Sequence, residues 1–483
     1  MCGFFGLQSF YLDKSVKISL SRKAIELLHH RGPDSNNFVL DDSNNLVFSH
    51  NRLSILDLSS TGSQPMRSHS GNYLLIYNGE IYNHKKIREE LKIESKFYKW
   101  NGTSDTETLI QAIEIWGLNE TLKKINGMFA FALWDKNLNK LYLVRDRFGE
   151  KPLYYGWLPE NKSFVFSSDL IFDKLFSQIK FNINDQALND LFHLNYINNN
   201  YSIFEKIYKL EPGHFIEVSF KKNEIPVIKN NKYWHTNKIL NQKKILNHRE
   251  TLDELDNRLT DVVKKQCIAD VEVGTFLSGG IDSSIITAKA QEVASSKIKT
   301  FCIGVEDKNY DESKYARDVA KHLSTDHEEL IINEKDMSNS VPEIIKNLNE
   351  PFGDSSFIPT YLVSRLAKKK LKVVLTGDAG DEIFGGYNRY IQLKNLSKIY
   401  SLPNTLKKII DTFLSNMDNK KIHKINSIIK FLPFFKNQFY LNKKLKKIFD
   451  RIDPNLNFTD FIYNFLLNKN NFNLLINQNI FSK

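Results

Sequence analysis

The chain has 483 residues, of which 41% are apolar and 25% charged. These proportions exclude a disordered or collagen-like chain and leave length for two or three domains, each with its own core. Lys and Arg outnumber Asp and Glu by 67 to 56, a net +11, yet the excess sits at one end: from Asn388 to Lys483, 17 basic residues face 5 acidic ones.

The first 215 residues read as β-rich with a few helices. NLVFSH, YLLIYNGEIY, FAFALWD and KLYLVRD alternate apolar and polar positions and end in Gly, Asn or Asp, the pattern of half-buried strands. Two helical patterns interrupt them. One spans Val16–His29, with Ile18, Ala24, Ile25 and Leu28 on one face. The other spans Asp105–Trp116 and is opened by the cap-like Thr103, Ser104 and Asp105. A sheet sandwich flanked by helices is expected over 1–215. Residues 216–248 are polar and weakly periodic and read as a linker. An amphipathic helix comes next at Leu252–Cys267. VEVGTFL, KTFCIGV and KVVLTG are then short apolar strands, each followed by a helical stretch, the pattern of a parallel α/β sheet over 249–483. The last stretch is helix-like and rich in Asn and Lys.

Cysteine is sparse, at Cys2, Cys267 and Cys302, so no disulfide framework is expected and the cytoplasm is the expected compartment. Cys267 and Cys302 stand in apolar contexts and read as buried thiols. No run of 18 apolar residues predicts a membrane span, and the N-terminus has no basic region ahead of an apolar one. The basic tail could meet nucleic acid, but no aromatic–basic platform accompanies it, and neither nucleic acid nor membrane is the expected partner.

Cys2 is the first residue with chemical promise. Removal of Met1 would leave its thiol beside a free α-amine, with a reference pKa of about 7.7–8.0, which could take the thiol proton. Acyl transfer also needs oxyanion donors. Asn78 and Gly79, in YNGEIYN at a strand end, offer a side-chain amide and an accessible N–H. Arg52 could fork onto a carboxylate, and Glu80 and Asp105 could hold an ammonium. A small molecule with a carboxylate, an ammonium and a carboxamide is glutamine. Taken singly, each residue also fits ordinary turn chemistry.

The second half carries Ser278–Ser284, SGGIDSS, between an apolar strand and a helix. Two glycines and small hydroxyl residues leave N–H groups at the helix entrance, an anion site suited to a pyrophosphate. No GxxxxGK[ST] occurs, so this is not a Walker A loop. In LTGDAGDEIFGGYNRY, Asp378, Asp381 and Glu382 cluster among glycines and could hold Mg2+ against ATP oxygens.

MCGFFG, HHRGPDS, NRLSILDLS, YNGEIYN, NGTSDTET, NGMFAFALWD and RDRFGEKPLYY occur in that order and together resemble the glutaminase domain of class II, N-terminal-nucleophile, glutamine amidotransferases. RDRFGEKPLYY and the residues after it, SGGIDSS among them, resemble glutamine-hydrolysing asparagine synthetase, whose second domain is an ATP pyrophosphatase. The resemblance implies an αββα sandwich followed by an α/β parallel-sheet domain with a helical C-terminal region. It implies Cys2, Asn78, Gly79 and Asp378 as catalytic residues, and Arg52, Ile55, Asn78, Gly79, Glu80 and Asp105 as the glutamine site. It implies Phe276, Ser278, Gly279, Gly280, Asp282, Ser283, Ser284, Ile303, Thr376 and Gly377 as the ATP site. Asp282 and Asp381 are assigned to Mg2+. The expected substrates are glutamine, ATP and aspartate, and the expected assembly is a homodimer. His29 and His30, in the HHRGPD turn, are expected to be structural.

The resemblance runs over residues 1–390. Past the GGY motif, a D-R-x-S-M-A…E-x-R-x-P-F-L-D pattern is not found, so the second domain is expected to be C-terminally incomplete. Two other readings stay open: a related amidotransferase acting on another carboxylate, such as a sugar acid or peptide, and a glutaminase or scaffold with an inactive synthetase domain.

Overall fold

The computed structural model describes residues 1–94, 99–198, 200–240, 247–307 and 311–388, with isolated positions from 390 to 403. The basic tail expected from Asn388 onward lies almost wholly outside the described residues. The chain divides into two compact units, Met1–Leu188 with Ile197–Gly377, and Asn189–Tyr196 with Asp378–Lys483.

The first unit begins with β1 (Gly3–Gln8), α1 (Lys14–Leu27), β2 (Ser35–Asp41), β3 (Leu46–Arg52), β4 (Met66–Arg67), β5 (Tyr73–Ile81), α2 (His84–Glu94), α3 (Asp105–Trp116) and α4 (Leu118–Lys124). It continues with β6 (Gly127–Asp135), β7 (Lys140–Arg145), β8 (Tyr154–Leu158), β9 (Ser163–Ser167), α5 (Phe172–Leu175), α6 (Asp185–Leu194, which runs into the second unit), β10 (Ile207–Lys209), β11 (His214–Ser219) and β12 (Val227–Lys232). The strands form two six-stranded antiparallel sheets, in the orders β10-β8-β9-β1-β3-β2 and β12-β11-β7-β6-β5-β4.

Alternation along each strand decides the layering, because successive side chains leave opposite faces of a sheet. From β5, Leu74 and Ile76 join Phe4, Phe48, Phe164 and Phe166 in a core between the two sheets. Leu75, Tyr77 and Ile81 of the same strand point the other way and pack under α2 and α3 with Ile87, Leu91 and Ile110. Helix α1 covers the outer face of the first sheet over β1 and β3. The result is the αββα sandwich expected from the sequence. Its mid-layer rings are fully buried, each worth ~1.5–3 kcal/mol by removal from water. The Phe48 and Phe166 rings meet edge to face at 5.6 Å.

Helix α3 begins at Asp105, with the Ser104 side chain accepting from Glu107 N–H, an N-cap that fixes where the helix starts. The stretch expected to be a linker, 216–248, departs from expectation. It contains most of β11 and all of β12, which extend the second sheet from β7. Edge strand β12 is exposed at nearly every position, so it shows no apolar alternation to read.

The rest of the first unit is an α/β layer. After the short α7 (Asn237–Leu240) come α8 (His248–Gln266), β13 (Val273–Phe276), α9 (Ile281–Val293), β14 (Lys299–Val305), α10 (Ser313–Leu323), β15 (Asp326–Ile332), α11 (Glu334–Asn347), α12 (Phe357–Ala367) and β16 (Val373–Leu375). Asn247 and Glu250 form a reciprocal capping box that starts α8. The four strands are parallel in the order β15-β14-β13-β16. Phe301 points to a core with Val363 and Leu366 of α12, while its neighbour Cys302 packs with Ala316 and Ala320 of α10. Helices therefore cover both faces, as a parallel sheet requires. Strand order reverses at β13, and an open α/β sheet takes ligands outside the carboxyl ends of its strands at such a point.

Candidate active site

Strand pairing positions the first site. β1 runs antiparallel to β3 with Gly3 opposite Asn51, so Cys2, one residue ahead of β1, falls beside Arg52 and Leu53. The Cys2 Sγ lies 3.4 Å from Leu53 N, which donates to it, and 3.7 Å from Leu53 O. Burial pushes the thiol above its ordinary pKa, and the Leu53 N–H opposes that shift. The chain's α-amine, on Met1, moves the other way: burial draws it down to about 6, helped by Arg31 and Lys151 and opposed by the Cys2 thiolate and Glu80. An amine in this place is a free base near neutral pH.

Across from Cys2, β5 of the facing sheet contributes Asn78, Gly79 and Glu80, and the start of α3 contributes Asp105. With Arg52 and Ile55 they line one cavity of about 240 Å³, together with Met1, Gln64, Lys151 and, from the parallel sheet, Lys372, Val373 and Val374. Every residue expected in the glutamine site thus comes to one cavity. Asn78 is 1% exposed, and its amide Nδ2 is buried with no hydrogen-bond partner. A buried donor costs free energy until something accepts from it, so this amide marks the place for an anionic or carbonyl oxygen. Gly79 runs so close to β6 that a Cβ there would strike Met128 O.

Backbone carbonyls hold the Arg52 guanidinium: Nη1 donates to Ser59 O at 2.8 Å, and Nη2 to Leu56 O at 3.2 Å and to Asp57 O. Neutral partners orient it and leave its charge for a ligand carboxylate. Asp105 accepts from Tyr77 Oη at 2.7 Å and Ile81 N at 2.9 Å. Burial raises both Glu80 and Asp105, and for Glu80 the Asp105 charge adds to it. Two buried carboxylates side by side shed that strain when an ammonium comes between them.

Sequence reasoning missed several residues of this site. Arg31 Nε donates to Cys2 O at 3.2 Å, so the HHRGPD turn anchors Cys2 as well as the fold. His30 reaches Leu27 O at the end of α1 and Asp169, a structural placement. Gln64 Oε1 accepts from Tyr77 N at 2.7 Å and holds β5 against the cavity. Lys151 lines the cavity at 8% exposure, and burial lowers its pKa. Arg31 and Lys151 lie inside motifs that the sequence displays, HHRGPDS and RDRFGEKPLYY, whereas Gln64 lies in none of them. Cys267 and Cys302 are free thiols away from this cavity.

The second site is built by a loop. β13 ends at Phe276, and Ser278–Gly280 turn into α9. Gly279 has φ +81°, and a Cβ there would lie 2.6 Å from Ala316 N, so this position takes glycine. The Ser278 and Ser283 hydroxyls meet at 2.9 Å, and Gly280 N donates to Ser278 Oγ at 3.3 Å. Asp282, Ser283 and Ser284 occupy the first turn of α9, where Ser284 Oγ is buried without a partner. Ile303 lies on the neighbouring β14. Thr376 and Gly377 come directly after β16, and a Cβ on Gly377 would come 2.7 Å from Ser283 N, so the two strand ends meet at the loop.

Asp378, Asp381 and Glu382 fall in the second unit, in a turn and in α13 (Gly380–Phe384). The three-carboxylate cluster expected there is not formed: no group of three or more His, Cys, Asp or Glu suited to a metal occurs among the described residues. Glu382 instead accepts from Tyr387 Oη at 2.7 Å. No helix among the described residues is long and apolar enough to cross a membrane.

Comparison with known proteins bears on both halves. The profile of the glutamine amidotransferase domain matches residues 1–234, and that of asparagine synthase matches residues 254–447. A putative glutamine-hydrolysing asparagine synthetase of Methanocaldococcus jannaschii is 35% identical over 426 residues, covering 84% of this chain and 79% of that protein. Asparagine synthetase 1 of Bacillus subtilis, also glutamine-hydrolysing, is 32% identical over 85% of this chain and 62% of that protein. A putative counterpart of Mycobacterium tuberculosis is 33% identical over 80% of this chain and 59% of its own length. This chain thus spans about three fifths of the length of the two bacterial relatives. A solved glutamine phosphoribosylpyrophosphate amidotransferase of B. subtilis is 12% identical over 78% of this chain and 91% of that chain, with a TM-score of 0.36.

Proposed function

This chain belongs to the glutamine-hydrolysing asparagine synthetase family, and from that premise we propose that it is an ATP-dependent amidotransferase that takes nitrogen from glutamine at Cys2 and transfers it to aspartate. The observation that carries the reading is the unpartnered Asn78 amide in the cavity that also holds Cys2, Arg52, Glu80 and Asp105.

With Met1 removed, the Cys2 amine takes the thiol proton, and the thiolate attacks the side-chain carbonyl carbon of glutamine. Arg52 holds the α-carboxylate, and Glu80 and Asp105 hold the α-ammonium. Asn78 Nδ2 and the Gly79 N–H stabilise the oxyanion. The C–N bond breaks as the amine returns its proton to the departing ammonia, leaving a thioester that water cleaves to glutamate. Ammonia passes internally: Val373 and Val374 of β16 line the same cavity, and Thr376 at the nucleotide loop comes directly after that strand. An enclosed route keeps ammonia from becoming ammonium, which has no lone pair to attack with.

At the second site the loop Ser278–Ser284 grips the diphosphate of ATP. The β-carboxylate of aspartate attacks the α-phosphorus and releases pyrophosphate, and ammonia then displaces AMP to give asparagine. Asp378 acts on the forming acyl-adenylate. We assign Asp282, in the first turn of α9, to Mg2+, which takes one or two carboxylates and otherwise keeps water and phosphate oxygens. When bound, it would neutralise charge on the departing diphosphate.

The test pairs ammonia release from glutamine with pyrophosphate release from ATP across a panel of carboxylates. Aspartate is expected to support the most pyrophosphate, in step with glutamate formation. A sugar acid or peptide that outperforms aspartate would reassign the acceptor. Glutamate formation with no acceptor-dependent pyrophosphate would leave a glutaminase.

A further inference from the structure

The turn that aims Arg52 is tied down by the other half of the chain. After β3 the backbone turns through Leu53–Asp57, and Asp57 sits at φ +58°, in the left-handed region where Asp is enriched among residues with a Cβ. Its N–H donates to Asp270 Oδ2 at 2.7 Å. The Asp270 N–H in turn donates to Ile55 O at 3.0 Å. One residue of the α/β layer, just ahead of β13, therefore closes both ends of the Ile55–Asp57 turn. A second tie lies beside it: Asp34 Oδ2 accepts from Ser54 N at 2.8 Å and from Lys372 Nζ at 2.7 Å, and Lys372 immediately precedes β16. β13 and β16 are neighbours in the sheet, so both ties come from the same edge of the layer.

The turn has a defined task. Its Leu56 and Asp57 carbonyls take two of the hydrogen bonds that orient the Arg52 guanidinium. The Asp57 carboxylate reaches the approach to Asp105, accepting from Thr103 N at 2.9 Å and from Thr61 Oγ1 at 2.7 Å. Burial alone would raise this carboxyl, but its hydrogen bonds from Ser59, Thr61 and Thr103 outweigh that and hold it at about 2. Asp57 thus joins the carboxylate clamp to the ammonium clamp, and Asp270 fixes Asp57.

We propose that Asp270 is a positioning residue for glutamine: by pinning the Ile55–Asp57 turn it sets the Arg52 clamp, so that the second half of the chain completes the glutamine site of the first. This rests on the reading of the cavity as a glutamine site. Asp270 itself touches no substrate.

The experiment measures glutamine hydrolysis by the full chain as steady-state kcat and KM for Asp270→Ala and Asp270→Asn. Asp270→Ala removes the acceptor for Asp57 N–H but keeps the backbone bond to Ile55, and is expected to raise KM about five- to tenfold with kcat within about twofold. Asp270→Asn keeps an oxygen in place, and its KM is expected within about twofold of the unaltered chain. Lys372→Met loosens the second tie with a smaller rise, about two- to threefold; it serves as the variant of record if Asp270→Ala does not fold. A kcat loss at constant KM, an unchanged KM in Asp270→Ala, or an Asn variant as impaired as the Ala one would overturn the assignment. Absence of Cys2-dependent hydrolysis in the unaltered chain would instead remove the glutamine reading together with this one.

Discussion

The two sites of this protein are built in opposite ways. The cavity around Cys2 draws its walls from the ends of β3 and β5, the cap of α3 and the edge of the parallel sheet, so residues far apart in the chain meet only because strand registers bring them together. Its working groups are nearly all buried, and burial raises the pKa of Cys2, Glu80 and Asp105. The Ser278–Ser284 stretch is seven consecutive residues that run from the end of β13 into the first turn of α9, and the donors it offers are mainly backbone N–H groups. Side chains dominate where charge must be matched on a small amino acid. Backbone would suffice for the proposed diphosphate, because a helix entrance already favours negative charge.

That contrast predicts where substitutions should act, and the largest effect belongs to the nucleophile. Cys2→Ala should cut glutamine hydrolysis by ~10⁴-fold or more, since no other group in the cavity can form the thioester. A persistent ammonia yield from glutamine in that variant would break the side-chain account of the first site. Asn78→Ala should lower kcat by about 10²–10³-fold with little change in KM, because the amide acts on the oxyanion and the substrate's charged ends are held elsewhere. Equal losses in kcat and affinity would place Asn78 on the ground state instead.

The backbone account of the second site is sharpened by Gly279→Ala. Strain at φ +81° and a Cβ against Ala316 N should reduce acceptor-dependent pyrophosphate release by about 10–100-fold. Normal pyrophosphate release in this variant would mean that the loop does not hold the diphosphate. The smallest effect is one of pH. Burial lowers the α-amine of Met1, and an α-amine on Cys2, at the same cavity, is expected to move in the same direction, so that it stays a free base at neutrality and protonates as the pH falls. The profile of kcat for glutamine should then drop about tenfold per unit once the pH is below the pKa of that amine. In the same direction, protonation of the raised Glu80–Asp105 pair should weaken capture of the substrate ammonium, seen as a rise in KM. A kcat profile flat from pH 8 to 5 would contradict the amine's role as base.

How much of this was legible in the sequence divides along the same line. The strand–loop–helix at Ser278–Ser284 was readable because all its determinants are local: an apolar strand, two glycines, small hydroxyls and a helix. Helix α3 was readable to its first residue because Ser104 caps it. A sheet sandwich flanked by helices could be read from alternating runs such as YLLIYNGEIY, and the resemblance implied its αββα layering. Strand β12 and the end of β11 were hidden in a stretch that read as linker, since an edge strand open to solvent needs no apolar alternation. β15, which opens with Asp326, His327, Glu328 and Glu329 and was not among the strands expected, is likewise an edge. The glutamine-site residues that were named stood in recognisable motifs. Gln64, Arg31 and Asp270 were not named, because each acts by holding another residue across a distance that only the folded chain defines.

The central claim is that the sulfur of a processed N-terminal Cys2 carries the γ-glutamyl group during turnover. Mass spectrometry of the N-terminal peptide, from protein quenched in acid while it consumes glutamine, tests it directly. The account predicts a peptide that begins at Cys2 and bears a γ-glutamyl thioester. A peptide that still begins at Met1, or one that stays unmodified during steady glutamine hydrolysis, would contradict it.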